Sequence, residues 1–403
     1  MSIIDQLEDK RKWLDYYEYK VAGGNLAKAD QKALLDFIEA EGYLAPVANI
    51  RSGVGFPAPR KSCISKMHTG KKRIVYTYPD DENRVLKLLT YLLQRKYDYL
   101  FADNLYSFRP KRGVRQAVCK MTHTPGVRHM WSYKVDISNY FNSVNVDRMI
   151  ALLRRTLTDE PETLAFLESL LTNPLVNDHG KLIPEEKGIM AGTPISTFLA
   201  NLYLAHLDYA FAGSKDLYAR YSDDIIVFDA TEADLERDIA FIRDALTATG
   251  LTVNPAKEQR TAPGEMWTFL GICYRDGVVD VAPASVEKLK AKMRRKTRAL
   301  MRWKDKKGVA NICAAKAFVR VFHKKLFENP VAHELTWTRW YFPLINTAES
   351  LHEIDAYAQQ CVRYLATGKH TKAAYNFRYD DIKALGYTSL VNAYYKEKTA
   401  AED

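Results

Sequence analysis

Cysteine is scarce. Five residues (Cys63, Cys119, Cys273, Cys313 and Cys361) are scattered over 403 positions, with no CxxC pair and no Cys/His cluster. That spacing excludes a zinc finger and a disulfide framework, and it predicts reduced, mostly buried thiols in a cytosolic protein. Long apolar runs are missing as well. The best, residues 198–207, is interrupted by Asn201 and His206, and a helix needs about 20 apolar residues to span a bilayer. No membrane partner is expected. The opening Met1-Ser2-Ile3-Ile4-Asp5-Gln6 turns charged at once and carries no signal-peptide core, so a cytoplasmic location is expected. There is no low-complexity tract and no internal repeat. What is left is an ordinary globular chain, and at 47% hydrophobic it has material for two or three subdomains around a large core.

Acid is the charge in shorter supply, and the net charge is +10. The imbalance is local: residues 285–325 hold fifteen Lys or Arg against two acids. A polyanion site on one region follows, rather than an evenly basic surface. In the same segment Val286, Leu289, Met293, Leu300 and Trp303 make an apolar stripe. A helix with a basic outer face is therefore expected, followed by further helices to about residue 400. Later aromatics (Phe318, Phe322, Trp337, Trp340, Tyr341 and Phe342) suit the core of a helical bundle, with base stacking as the alternative for exposed members.

The acids that stand out lie among apolar β-formers. Tyr221-Ser222-Asp223-Asp224 separates the apolar runs 217–220 and 225–228, which predicts a hairpin whose turn presents two adjacent carboxylates. Neighbouring carboxylates repel, and a hard divalent cation relieves the repulsion; a solvated turn is the plain alternative. Ser132-Tyr133-Lys134-Val135-Asp136-Ile137 reads as a strand ending in an acid. Burying an unpaired Asp costs several kcal/mol. Asp136 therefore needs a cation or an open strand end, unless it caps the next segment.

Elsewhere, Lys71-Lys72-Arg73 and Arg109-Pro110-Lys111-Arg112 are basic clusters suited to triphosphate or backbone capture, or to a solvated surface. Gly188-Ile189-Met190-Ala191-Gly192-Thr193-Pro194 is a small-residue turn whose glycines permit close approach of the backbone to a ligand, with a plain loop–helix junction as the alternative. It feeds a long helix with Phe198, Leu199, Leu202, Ala205 and Tyr209 as its core stripe. Strands at 251–254 and 267–274 would close a β-α-α-β-β-α-β order over 131–280, a ferredoxin-like sheet with one additional helix. Residues 2–20 and 29–41 read as short amphipathic helices, Leu7, Leu14 and Tyr17 sharing a face of the first and Leu34, Leu35 and Ile38 a face of the second, to cap the core or bind a partner.

In chain order these motifs resemble the reverse transcriptases of the bacterial, non-retroviral type, from about Lys71 to Gly271. Asp136 with Phe141 resembles the first palm motif, and GIMAGTPISTFLAN (residues 188–201) the second. Tyr221-Ser222-Asp223-Asp224 resembles the YxDD motif, and Gly250-Leu251 with Asn254 and Lys257 the fourth motif. Phe269-Leu270-Gly271 resembles the palm–thumb grip, and Arg73 and Arg109 resemble cations of the fingers.

The resemblance implies an α+β right-hand polymerase with fingers, a ferredoxin-like palm with an antiparallel sheet, and a helical thumb. The implied divisions are an N-terminal helical extension (1–50), fingers (51–130), palm (131–280, interleaved with fingers around 155–190), and helical thumb with C-terminal helices (281–403). It implies two Mg²⁺ ions, with Mn²⁺ as the alternative. Asp136, Asp223 and the Ile137 carbonyl would hold them, with Asp224 as a weaker or outer ligand. Lys72, Arg73 and Arg109 would meet the triphosphate, Gly192 would border the substrate, and Lys257 would protonate the leaving pyrophosphate or remain an exposed loop lysine. Phe141 would lie beneath the ribose and exclude a 2′-hydroxyl, unless it is simply a core aromatic. Lys288, Lys292, Arg295, Lys296 and Arg302 would grip a nucleic-acid backbone. The implied partners are an RNA template, a DNA product and dNTPs, with oligomerisation left open.

Ala191 and Thr197 depart from the family's usual Gln and Pro. The Val-Thr-Gly and Asn-Ala-x-x-His signatures of retron enzymes are missing, no Cys/His endonuclease follows, and the length is short for a group II intron protein. The remaining likeness is to the unclassified and defence-associated reverse transcriptases, which implies a dedicated noncoding RNA and protection against phage. Two other readings stay open: template-independent or protein-primed DNA synthesis on the same palm, and a catalytically silent RNA-binding module.

Overall fold

The computed structural model describes residues 1–24, 26–65, 72–214, 216–327 and 336–402. Lys71, at the start of one basic cluster, lies outside them. The chain divides into two units, Met1–Pro263 and Gly264–Asp403.

In the first unit, strands β1 (Arg60–Ser65) and β2 (Lys72–Thr77) pair antiparallel. Strand β3 (Trp131–Asp136) follows, then the hairpin of β4 (Leu175–Asp178) and β5 (Lys181–Pro184). A second hairpin consists of β6 (Leu217–Tyr221) and β7 (Asp224–Asp229), and β8 (Gln259–Thr261) is last. Two sheets result, with orders β2-β1-β4-β5 and β6-β7-β3-β8. Residues 175–184 thus return to the sheet begun by residues 60–77, although β3 intervenes in the sequence.

The second sheet is antiparallel throughout. Numbered by their own sequence, its strands run 2-3-1-4, the split βαβ order that the sequence predicts. Ile225, Ile226, Val227 and Phe228 of β7 are all fully buried. The helix Glu232–Ala248 lays Leu235, Ile239, Ile242 and Leu246 against β3 and β7. Each such side chain contributes about 1.5–3 kcal/mol of burial. Its start follows from Thr231, whose hydroxyl accepts from the Asp234 N–H.

Several elements differ from expectation. Residues 251–254 form only an isolated bridge, Ile137 with Val253. Pro255 has no N–H to continue a ladder and starts a short 3-10 turn, so the fourth strand is delayed to β8. The strands at 267–274 do not join this sheet. β9 (Trp267–Phe269), β10 (Ile272–Arg275) and β11 (Val278–Val281) form a separate meander in the second unit. Its turns place Leu270, Gly271, Asp276 and Gly277 at positive φ, which favours local pairing.

The first N-terminal helix ends at Asp9, whose carboxylate caps a new one at the Arg11 N–H. The break resets the phase, so Trp13 and Tyr16 are buried and Leu14 is exposed. The helix after residue 196 also breaks, into Ser196–Tyr203 and Ala205–Ala212, leaving Tyr209 exposed and Asp208 buried.

The rest of the second unit is helical, with Pro283–Lys307, Asn311–Leu326 and Glu349–Thr367 packed on one another. Val286, Leu289, Met293 and Leu300 form the expected stripe, while Trp303 is exposed. The buried Asp355 carboxylate accepts from the Leu390 and Val391 N–H groups and from the Tyr387 and Ser389 hydroxyls. All five cysteines are free thiols; only Cys273 and Cys361 are buried, and Cys63 and Cys313 are exposed, contrary to the expectation of mostly buried thiols. Among the described residues no helix is long and apolar enough to cross a membrane.

Candidate active site

The β6–β7 turn is built on a buried polar network. Arg220, fully buried on β6, is held by Asp208 through Nε to Oδ1 (2.7 Å) and Nη2 to Oδ2 (2.5 Å). The Tyr218 hydroxyl donates to the same carboxylate at 3.1 Å. Arg220 Nη1 donates to the Ser222 carbonyl at 3.2 Å. From the other side, the Ser222 N–H donates to Ser107 Oγ at 2.9 Å, and Ser107 Oγ donates to Asn201 Oδ1 at 3.0 Å. These contacts hold Ser222 at φ 61°, a left-handed conformation that a serine adopts only when its surroundings enforce it. Sequence reasoning did not assign roles to Ser107, Asn201, Asp208 and Arg220. A signal was present: an Arg in an apolar strand and an Asp on an apolar helix each need a buried partner.

The turn brings the three acids together. Asp136 ends β3 and pairs in register with Asp224, the first residue of β7. Side chains directly opposite on antiparallel strands have Cβ atoms about 4.5–5.5 Å apart. Asp223 joins them through its carbonyl, which accepts from the Ile137 N–H at 3.0 Å. Asp136 is only 6% exposed. Burial and the neighbouring Asp136 raise the Asp223 carboxyl above the usual range. Burial and Asp223 push Asp224 up to about 6.

Lys257 Nζ contacts the Asp136 carboxylate, and the turn carrying it is tied down by the Asn254 N–H on the Asp136 carbonyl (2.8 Å). The donor set suits a hard divalent cation: it is all oxygen, and its acids repel one another in partial burial.

A cleft of about 560 Å³ fronts these groups, lined by Asp136, Ile137, Asp223, Lys257, Phe141, Lys72 and Arg73. Lys72 and Arg73 are exposed on β2, with no ion pair or side-chain hydrogen bond among the described residues, and the Arg73 charge acts on the Asp223 carboxyl. The backbone of Phe141 is fixed by its neighbours: its carbonyl accepts from the Ile189 N–H at 2.9 Å, and a Cβ on Gly188 would fall 2.5 Å from that oxygen. Its ring packs 5.5 Å from Tyr140, which is buried with its hydroxyl on the Ala200 carbonyl. Phe141 and Arg73 also line an adjoining cleft of about 600 Å³ with Gly192, Lys20, Lys87 and Tyr91.

One expectation fails on geometry. Arg109 borders the second cleft, but its guanidinium is consumed internally. Nε and Nη2 bond Asp98, and Nη1 bonds the Ala102 and Leu105 carbonyls. A side chain with every donor satisfied has none left for a triphosphate. Gly192, at φ 102°, borders the same cleft and also packs closely against protein: a Cβ there would lie 3.0 Å from Tyr76 O and Val75 Cβ of β2.

The basic residues of the second unit lie on the helix Pro283–Lys307. Lys288, Lys292, Arg295 and Arg302 are exposed and Lys296 is partly so. Lys290 on the same helix is paired with Glu287 (2.8 Å) and Glu353 (2.7 Å).

A split βαβ sheet with acids on its two central strands, beside a second sheet carrying exposed cations, is the arrangement of the right-hand polymerase fold. The family profile described as reverse transcriptase (RNA-dependent DNA polymerase) matches residues 60–274, and the chain belongs to that family. Among curated relatives, the group II intron-encoded protein LtrA of Lactococcus lactis is 25% identical over 199 residues, covering 47% of this chain and 33% of the relative. An uncharacterised 91 kDa protein in a cob intron of Schizosaccharomyces pombe is 29% identical over 154 residues, covering 38% of this chain and 18% of the relative. The chain thus spans a third or less of the length of these relatives. Among solved structures, apo telomerase from Candida tropicalis superposes with a TM-score of 0.49 at 12% identity, over 83% of this chain and 60% of that one.

Proposed function

We propose that the chain is an RNA-directed DNA polymerase that extends a primer with dNTPs in the cleft bounded by Asp136, Asp223 and Phe141. The observation that carries this reading is the register pairing of Asp136 with Asp224, with Asp223 in the adjoining turn. Asp136, Asp223 and Asp224, with the Ile137 carbonyl, would hold Mg²⁺ or Mn²⁺. Bound there, two such ions supply charge stabilisation to the attacking 3′-oxygen and the leaving pyrophosphate oxygen.

The chain's own residues supply the rest. Arg73 and Lys72 offset the charge of the triphosphate from β2, at the border of the same cleft. Phe141, anchored through its backbone, blocks the space a 2′-hydroxyl would need. Lys257, on Asp136 in the free protein, is positioned to pass a proton to the departing pyrophosphate. In this reading β1, β2, β4 and β5 belong to the fingers, the β6-β7-β3-β8 sheet to the palm, and the helices after residue 281 to the thumb. Lys288, Lys292, Arg295, Lys296 and Arg302 then hold the nucleic-acid backbone.

The biological role we infer is phage defence with a dedicated noncoding RNA as template. It is supported by the likeness of the palm motifs to the unclassified and defence-associated reverse transcriptases, without the Val-Thr-Gly or Asn-Ala-x-x-His signatures of retron enzymes between residues 60 and 274. The test is to purify the full chain with its co-purifying RNA, add labelled dNTPs and Mg²⁺, and sequence both RNA and product. DNA complementary to the RNA is expected. DNA of sequence unrelated to any RNA present, or covalently joined to the protein, would replace this reading with template-independent or protein-primed synthesis.

A further inference from the structure

We propose that Asp216, Asp229 and Asp238 hold a structural divalent cation, Mg²⁺ or Ca²⁺, at the end of the β6–β7 hairpin opposite the Tyr221–Asp224 turn. One carboxylate oxygen from each residue lies within 4.8 Å of the other two. Asp229 ends β7, and Asp216, just before β6, faces it across the hairpin one step beyond the Leu217–Phe228 pair. Asp238 comes from the helix Glu232–Ala248, beside the buried Ile239. Three separate segments therefore converge on one point.

The second observation is the state of the carboxylates. Asp229 is 95% buried, being 5% exposed; it offers a carboxylate oxygen to the cluster, and its Oδ2 is wholly enclosed and without a hydrogen-bond partner among the described residues. Asp238 Oδ2 is likewise enclosed and unpartnered among the described residues. Arg237 is the cation adjacent in sequence to Asp238, and its guanidinium contacts Asp234 instead. Buried carboxylate oxygens without donors cost several kcal/mol unless a cation compensates them. Consistently, burial and the adjacent Asp238 and Asp216 raise the Asp229 carboxyl well above its ordinary range.

The chemistry of the donors selects the ion. Carboxylates alone, with no thiol or imidazole, suit hard cations. Ca²⁺ takes six to eight oxygens and Mg²⁺ six, with water completing either shell. Asp229 lies five residues along β7 from Asp224, about 17 Å at 3.4 Å per residue, so one ion cannot serve both acid sets. The role is to tie both strands of the hairpin to the helix behind it, steadying the element whose other end carries Asp223 and Asp224. The proposal does not depend on the polymerase reading.

The experiment uses the full chain carrying D136N, D223N and D224N, which silences the other acids. Melting is followed in EDTA, then in MgCl₂ or CaCl₂ at matched ionic strength. A rise of about 5 °C is expected at near-saturating cation, and adding D229N, or D216N at the partly exposed rim, should abolish it. No rise with either ion overturns the proposal, as does a rise that survives both substitutions. A D229N protein that melts higher in EDTA than a cation-indifferent parent overturns it too, because the acids are then merely sharing a proton. Should D229N not fold, D216N decides alone.

Discussion

Two charged regions of this chain achieve opposite things. In the first unit, Asp136, Asp223, Asp224, Asp208 and Arg220 are wholly or largely enclosed and held in place by strand register, backbone bonds and the Asp208–Arg220 pair. On the helix Pro283–Lys307, Lys288, Lys292 and Arg302 stand in solvent with no ion-pair partner among the described residues. Enclosed charges are costly and keep one geometry, as chemistry at a reacting centre requires. Exposed charges cost little, are screened by salt, and act nearly additively on a polyanion. A single substitution should therefore be decisive in the first region and graded in the second.

The sharpest break in that contrast is loss of the acids. Asp223→Ala with Asp224→Ala should reduce primer extension by about a thousand-fold or more, on the order of 4 kcal/mol in the barrier. The melting temperature should stay level or rise. Retained extension in a steady-state assay would remove these acids from the chemistry.

Next in size is Arg220→Ala, which strands Asp208 and should destabilise the chain by about 3–5 kcal/mol in urea titration. Replacing both partners, Arg220→Met with Asp208→Leu, should recover most of that stability without recovering activity, because the turn loses its hold on the Ser222 carbonyl. Full activity in the double variant would make the pair a packing feature only.

The acids should also leave a mark on stability in chelator. Folded Asp224 keeps its proton up to about pH 6, whereas the unfolded chain loses it near the ordinary value of 3.8. Stability should therefore fall as pH rises between about 4 and 6, by on the order of 2 kcal/mol. Asp224→Asn should flatten the slope in a melting series.

Phe141→Ala should relax sugar selection by about ten- to a hundred-fold in the ratio of kcat/KM for dNTP over rNTP, an effect of about 1–3 kcal/mol. An unchanged ratio would make Phe141 a core aromatic. Smallest of all, Lys292→Ala should weaken RNA binding only a few-fold. Its clearer signature is a salt dependence shallower by about 0.7–0.9 log units per decade, read by titration at several salt concentrations.

Much of this molecule could be read from local pattern. The hairpin at 217–229 and the strand ending at Asp136 lie where apolar β-formers stop at an acid, and the Thr231 cap marks the next helix. Arg73 and Arg109 could not be told apart in that way. Both stand in basic clusters, yet Arg73 makes no ion pair or side-chain hydrogen bond among the described residues, while Asp98 and two carbonyls take every donor of Arg109. The glycine at 192 was legible as a close approach, but what approaches it is β2, a strand more than a hundred residues earlier.

The sequence by itself determined the strand and helix periods, the positions of the three acids, the free cysteines and the crowding of positive charge into residues 285–325, because each depends on residue type and short-range spacing. Only the tertiary structure decided which charges meet: the pairing of Asp208 with Arg220, the meeting of Asp136 with Asp224, and the convergence of Asp216, Asp229 and Asp238. Those depend on strand register and on which helix face turns inward. Register and facing are set by the packing of the whole core and leave no local trace in the chain.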